Sequence, residues 1–214
     1  MPSPADVFHA ATFLTTFVTV LVIMDPVGNV PVFLSLSAAM EGPARRRAAR
    51  QAVTVAGAVI LTFALFGQQI LHLLSISLEA LQVAGGLLLV LIALELLRPE
   101  DDASIAEVGR NVALVPLGTP LLAGPGAIAA TMLAMRRADT VAEVSSVVLA
   151  IVAVLVVAWA ALRFSLVISR VLKENGIHLI SRVMGVLLAA IAVQLVASGV
   201  AGWVEHGVQG ATAG

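Results

Sequence analysis

The sequence predicts an all-α protein: a polytopic membrane helix bundle of six spans, arranged as two inverted three-helix repeats with a broken helix in each half. Three observations predict it. Of 214 residues, 60% are hydrophobic and 12% are charged, with a mean hydropathy of +1.05. A soluble domain carries about a quarter charged residues, so most of the outer surface must face lipid. Six apolar stretches are about as long as the roughly 20 residues a helix needs to cross the hydrocarbon core. All twelve lysines and arginines fall at the ends of those stretches or between them.

Composition also excludes classes. The apolar residues are mostly Leu, Val, Ala and Ile, with 4% aromatics and no Tyr, which suits packed helices and not a barrel with aromatic girdles. There is no cysteine, so disulfides and thiolate metal sites are ruled out. A net charge of −1 predicts no attraction to nucleic acid. The opening Met1-Pro2-Ser3-Pro4-Ala5-Asp6 has no basic stretch before the first apolar run, so a secretory signal is not expected and the first span should be retained.

The predicted spans are 8–39, 52–74, 78–97, 112–135, 144–168 and 183–204. The first is half again longer than a straight span requires at about 1.5 Å per residue, so it must bend or break. Basic residues set orientation. The first connection holds Arg45, Arg46, Arg47 and Arg50, the third Arg98 and Arg110, and the fifth Arg163, Arg170, Lys173 and Arg182. The fourth holds only Arg136 and Arg137. Ten lie on one side against two on the other, which places the odd-numbered connections in the cytoplasm and both termini outside. Arg163, inside the fifth run, is expected to snorkel to the cytoplasmic boundary.

The two halves, 1–100 and 108–214, repeat an order: a Pro/Gly-broken span, a plain span, and a span opening on Gly. Pro26 matches Pro125, and Val83-Ala84-Gly85-Gly86-Leu87-Leu88 matches Val183-Met184-Gly185-Val186-Leu187-Leu188. Three spans per half force opposite orientations, the plan of many secondary transporters, in which interrupted segments at matching positions point to the site.

The first break is Met24-Asp25-Pro26-Val27-Gly28-Asn29-Val30-Pro31. Proline removes a helical hydrogen bond and restricts the residue before it. Asp25 is expected as N-cap and Pro26 as the first residue of a new half-helix, kinked at Pro31. The second break is Pro116-Leu117-Gly118-Thr119-Pro120 followed by Gly124-Pro125-Gly126, with Gly124 in the cap position. In inverted halves the two half-helices start near the midplane and run to opposite faces. Their N-termini, each with unpaired N–H groups and about half a positive charge, then form a site for an anion such as a carboxylate.

Asp25 is the only acid well inside a span. Such an acid suggests binding of an ammonium or cation, or proton carriage; capping alone is the alternative. Asn29 offers an amide or packs between helices. Thr119 offers a hydroxyl or bonds back to its own helix. Gln194, Gly85 and Gly185 are secondary candidates, each with helix packing as the alternative. The expected substrate-binding set is Asp25, Pro26, Gly28, Asn29, Thr119, Gly124, Pro125 and Gly126. No Walker loop, metal-ligand spacing or nucleophile–base pair suggests an enzyme, and no resident cofactor is expected.

These motifs resemble a known family. Met24-Asp25-Pro26-Val27-Gly28-Asn29-Val30-Pro31-Val32-Phe33-Leu34-Ser35-Leu36, the run Val115 to Gly126, and Arg182-Val183-Met184-Gly185 are similar to signatures of the MarC family, across nearly the whole chain. The resemblance implies a six-span bacterial inner-membrane protein related to small neutral amino acid transporters that handle glycine and alanine. The expected function is therefore a secondary transporter of that class, coupled to Na⁺ or H⁺. The alternatives are a passive channel-like facilitator and a non-transporting membrane scaffold. A small-molecule substrate and the bilayer are the expected partners, and self-association is left open.

Overall fold

The computed structural model describes residues 8–97 and 122–212. Among these, all regular structure is helical: α1 (Ala10–Met24), α2 (Asn29–Leu36), α3 (Gly42–Leu73), α4 (Leu78–Leu97), α5 (Pro125–Arg136), α6 (Val141–Arg163) and α7 (Ser165–Thr212). Four helices are long and apolar enough to span a membrane, and a fifth span is formed if the bent pair α1–α2 counts as one. The first part of the expected fourth span, 112–121, including Thr119 and Pro116 to Pro120, lies outside the described residues.

The first long run divides at Asp25 as expected, with α1 and α2 meeting at 47°. But Asp25 stands at the C-cap of α1, and α2 opens at Asn29 with Gly28 at its N-cap, not at Pro26, because residues 26–28 form a turn. Pro31 does not break α2. It lies in the first turn, where a missing N–H costs no intrahelical bond.

Helix α3 begins at Gly42, ten residues before the apolar run at 52. Pro43 sits in its first turn, where proline's fixed φ suits a helix start, and Arg45, Arg46, Arg47 and Arg50 continue the helix because arginine is a good helix former. At 32 residues it is about 48 Å long, well beyond the hydrocarbon core, so its basic first turns project past the apolar layer. Its buried stripe recurs every three or four residues at Ala49, Ala52, Ala56, Ile60, Ala64, Gly67 and Leu71, and it packs against α5 and α6.

Helix α4 buries Leu78, Gln82, Gly85, Gly86, Leu89 and Ala93, and its most extensive contact is with α7. Glycine lets the two backbones approach: a Cβ on Gly86 would lie 2.8 Å from the Ala192 carbonyl oxygen. Helix α6 starts on a capping box, in which Thr140 accepts from the Glu143 amide and the Glu143 carboxylate accepts from the Thr140 amide. This satisfies two of the unpaired donors at its N-terminus. The connection after α6 is helical too. α7 is interrupted at Lys173 (φ 53°, ψ 178°), and its apolar part is Gly176–Glu205.

The chain alternates between two ends of the bundle. At one end lie the α2–α3 turn, the end of α4 and the α6–α7 junction. At the other, the His9 amide donates to Ser146 Oγ (2.8 Å), Trp203 Nε1 donates to Ser77 Oγ (3.3 Å), and Arg136 pairs with Glu79 (3.5 Å). Thus α2 runs toward the first end and α5 toward the second. Of the basic residues described, eight gather toward the first end, and Arg136 and Arg137 stand at the second. Large apolar side chains such as Leu91, Leu94, Val156 and Val193 are exposed around the middle of α4, α6 and α7, as a lipid-facing belt requires.

Candidate functional site

The first break is built from three residues. Asp25 ends α1 in the left-handed region (φ 36°, ψ 69°), a conformation costing an L-residue roughly 1–2 kcal/mol and tolerated best by Gly, Asn and Asp. That turn redirects the chain. The Asp25 carboxylate Oδ1 then accepts from the Gly28 amide (3.0 Å), and the Asp25 carbonyl accepts from the Asn29 amide (3.1 Å). Asp25 therefore caps the turn 26–28 that leads into α2, three residues ahead of the helix proper. Asn29 Nδ2 reaches back to the Met24 carbonyl (2.7 Å), satisfying an acceptor left open where α1 stops.

Gly28 has ordinary helical angles (φ −62°, ψ −28°), so conformation does not demand glycine here. Space does: a Cβ would overlap the Asp25 carboxylate. Asp25 is buried at 8% exposure, and its Oδ2 is committed to no hydrogen bond among the described residues. An acid held this way offers one oxygen to an incoming cation, ammonium or proton.

The second break is simpler. Gly124 is extended (φ −68°, ψ 161°) and Pro125 opens α5, as the sequence led us to expect. The Ala127 and Ile128 amides donate to the Gly124 carbonyl (3.0 and 3.2 Å). No side chain caps this N-terminus. Pro125 is exposed, and among the described residues a Cβ on Gly124 would meet nothing within 4 Å.

The two breaks share a core. Met24, Leu122, Ala123 and Ala127 belong to one buried cluster with Phe33 and with residues of α3 and α6, and α1 contacts α5 directly. Gly85 joins the second break: a Cβ there would lie 3.3 Å from the Pro125 carbonyl oxygen and 3.0 Å from the Ala129 Cβ. Gly126 faces Leu89 at a distance that leaves no room for a side chain. The other secondary candidates stand apart. Gly185 packs on Leu96 and Leu97 at the end of α4. Gln194 is exposed and donates to Ser198 Oγ one turn along its own helix (3.4 Å). Thr119 lies outside the described residues.

Residues 10–204 match the MarC family of integral membrane proteins. The chain belongs to the MarC family. Its relatives include a UPF0056 membrane protein of Methanocaldococcus jannaschii, 39% identical over 197 residues, covering 89% of this chain and 96% of the relative. UPF0056 membrane protein YhcE of Escherichia coli is 31% identical, covering 91% and 94%. UPF0056 membrane protein YvbG of Bacillus subtilis is 30% identical, covering 87% and 92%. No solved structure matches the chain. This MarC protein is therefore similar over most of its length to bacterial and archaeal relatives whose names state no substrate.

Two features of the site were not visible in the sequence. The return bond from Asn29 to the Met24 carbonyl and the placement of Gly85 on Pro125 each join groups whose pairing no local rule dictates. The Asp25–Gly28 contact had a signal in hindsight: a glycine three residues after a capping acid, at a helical position that does not need one.

Proposed function

We propose that this MarC protein is a secondary transporter of a small neutral amino acid of the glycine and alanine class, acting across the bacterial inner membrane and not as an enzyme. The observation that carries this reading is the pair of half-helix starts, at Asp25–Asn29 and at Gly124–Gly126, running to opposite ends of an apolar bundle around one core. Helix N-termini favour a carboxylate, and the Asp25 carboxylate provides the counter-charge for an ammonium group. A zwitterion carries both. The glycines and alanines around α5 leave little width, which favours a substrate with a hydrogen or methyl side chain.

In this reading the chain has six spans in two inverted repeats, 1–100 and 108–214, with the site at the midplane. The end rich in arginine faces the cytoplasm, as the positive-inside rule requires, and both termini are periplasmic. Coupling to H⁺ or Na⁺ supplies the driving force, with Asp25 the residue to carry it.

The test is uptake of labelled glycine and alanine by the purified protein in liposomes, with imposed pH and Na⁺ gradients. Saturable accumulation that an uncoupler or ionophore collapses supports a secondary transporter. Equilibration without accumulation assigns a facilitator. No saturable uptake or exchange under any gradient would reject transport of this class.

A further inference from the structure

A second polar feature lies away from the two breaks, at the arginine-rich end of the bundle. A cavity of about 150 Å³ sits between the first turns of α3 and the α6–α7 junction, lined by Arg45, Arg46, Arg163, Phe164, Leu166 and Val167 among others. At about 30 Å³ of liquid volume per water there is room for roughly five waters, or for a phosphate group.

The described lining of this cavity holds three arginines and no acid. Among the described residues no carboxylate comes within 4.0 Å of Arg45, Arg46 or Arg163. Arg45 is anchored: its Nη2 donates to the Ser37 and Met40 carbonyls (3.1 and 3.2 Å). Its Nε is buried without a hydrogen-bond partner, which is costly for a charged donor and calls for an acceptor. Arg163 is held over the Phe164 ring, 5.3 Å from its centroid. Three arginines line one cavity, and among the described residues the partners of their guanidinium groups are carbonyls and a ring.

The outer wall is apolar and open. Phe164, Leu166 and Val167 are each more than half exposed (51%, 53% and 56%), on the rim beside the arginines. Arginines beside exposed apolar side chains match an amphiphile whose head is anionic and whose tails lie in the bilayer. Basic pockets between membrane helices bind anionic headgroups by this chemistry, with guanidinium pairing phosphate oxygens.

We infer that the cavity formed by Arg45, Arg46 and Arg163 binds the phosphate of an anionic phospholipid. The site is separate from the transport reading and stands or falls without it. Arg45 also tethers the end of α2, so the variants chosen are Arg46→Gln, exposed in the fold, and Arg163→Gln, with Arg137→Gln at the opposite end as control.

The full chain in a maltoside detergent is titrated with dioleoyl phosphatidylglycerol, dioleoyl phosphatidylcholine or inorganic phosphate, and bound species are counted by native mass spectrometry. Phosphatidylglycerol is expected to bind more tightly than phosphatidylcholine, and to weaken about fivefold for each arginine removed, with Arg137→Gln unchanged. Equal affinity for the two lipids, or equal loss in the control, overturns the proposal. Inorganic phosphate binding as tightly as the lipid, and lost in the same variants, makes this a free-anion site and overturns the lipid assignment. Each variant's thermal midpoint without lipid establishes that it is folded.

Discussion

The Asp25 carboxylate occupies the volume that a side chain on Gly28 would need, while accepting the Gly28 amide at 3.0 Å. The two residues are one device. The acid redirects the chain and caps the turn ahead of the next helix, and the glycine leaves room for the acid.

Gly28→Ala is therefore expected to displace the carboxylate or shift α2, at a cost of about 1–3 kcal/mol, the range for forcing a methyl into a packed site. Gly124→Ala is the matched contrast. Its backbone angles suit any residue, and no described residue lies within 4 Å of where its Cβ would stand, so stability should change by no more than about 0.5 kcal/mol, as for substitutions away from packed features. Thermal unfolding in detergent compares the two, and equal losses would show that the Asp25 contact does not govern Gly28.

Asp25→Asn keeps an oxygen that accepts the Gly28 amide and tolerates the left-handed conformation, so the fold should persist. What it loses is charge. If the acid pairs with an ammonium or a coupling ion, liposome uptake should fall about tenfold or more, as expected for loss of a charge-assisted bond. Asp25→Ala also loses the cap, and should lower stability by about a further 1 kcal/mol. Normal uptake by Asp25→Asn would reduce the residue to a cap.

Asn29→Leu removes the donor that satisfies the Met24 carbonyl at the break. An acceptor left unpaired away from water costs about 1–3 kcal/mol, so the thermal midpoint should drop. Asn29→Asp is a sharper test. It brings an acceptor with no donor against a carbonyl, and should be at least as damaging as leucine.

Gly86→Ala should loosen the α4–α7 interface. The new methyl meets the Ala192 carbonyl oxygen at 2.8 Å and Val196 Cγ2 at 2.7 Å, and backbone cannot yield as a side-chain tip can. A loss of about 1–3 kcal/mol is expected. Gly85→Ala presses instead on Pro125 and Ala129, so it should disturb uptake more than stability. The ratio of the two effects, read by uptake and unfolding on the same samples, separates packing from positioning.

Much of the architecture could be read residue by residue. The break at Met24–Asp25 followed from proline chemistry, and the helix start at Pro125 from the same rule. The apolar run at 78–97 is helical throughout and starts, as α4 does, at Leu78. Other boundaries moved for identifiable reasons. Helix α3 extends ten residues upstream because arginine favours helix even where hydropathy ends the span. The run 144–168 divides at Phe164 and continues as helix, so Arg163 stands at the end of α6 and not inside a span. The break expected at Asp25–Pro26 is present, but the new helix opens at Asn29 and runs on through Pro31, because a first-turn proline forfeits no intrahelical bond.

By itself, the sequence determined what depends on composition and on neighbours along the chain. Too few charges to cover a soluble surface require lipid, and Asp-Pro and Gly-Pro inside apolar runs require broken helices. Tertiary structure decided which of the glycines meet a break, that Gln194 faces outward, and that three arginines from distant segments line one cavity. Those outcomes depend on which helix faces touch, and glycine and alanine stripes are too alike in hydropathy to specify their partners. Only backbone approach at the level of a single methyl distinguishes them. The same approach leaves Gly28 no side chain beside the Asp25 carboxylate.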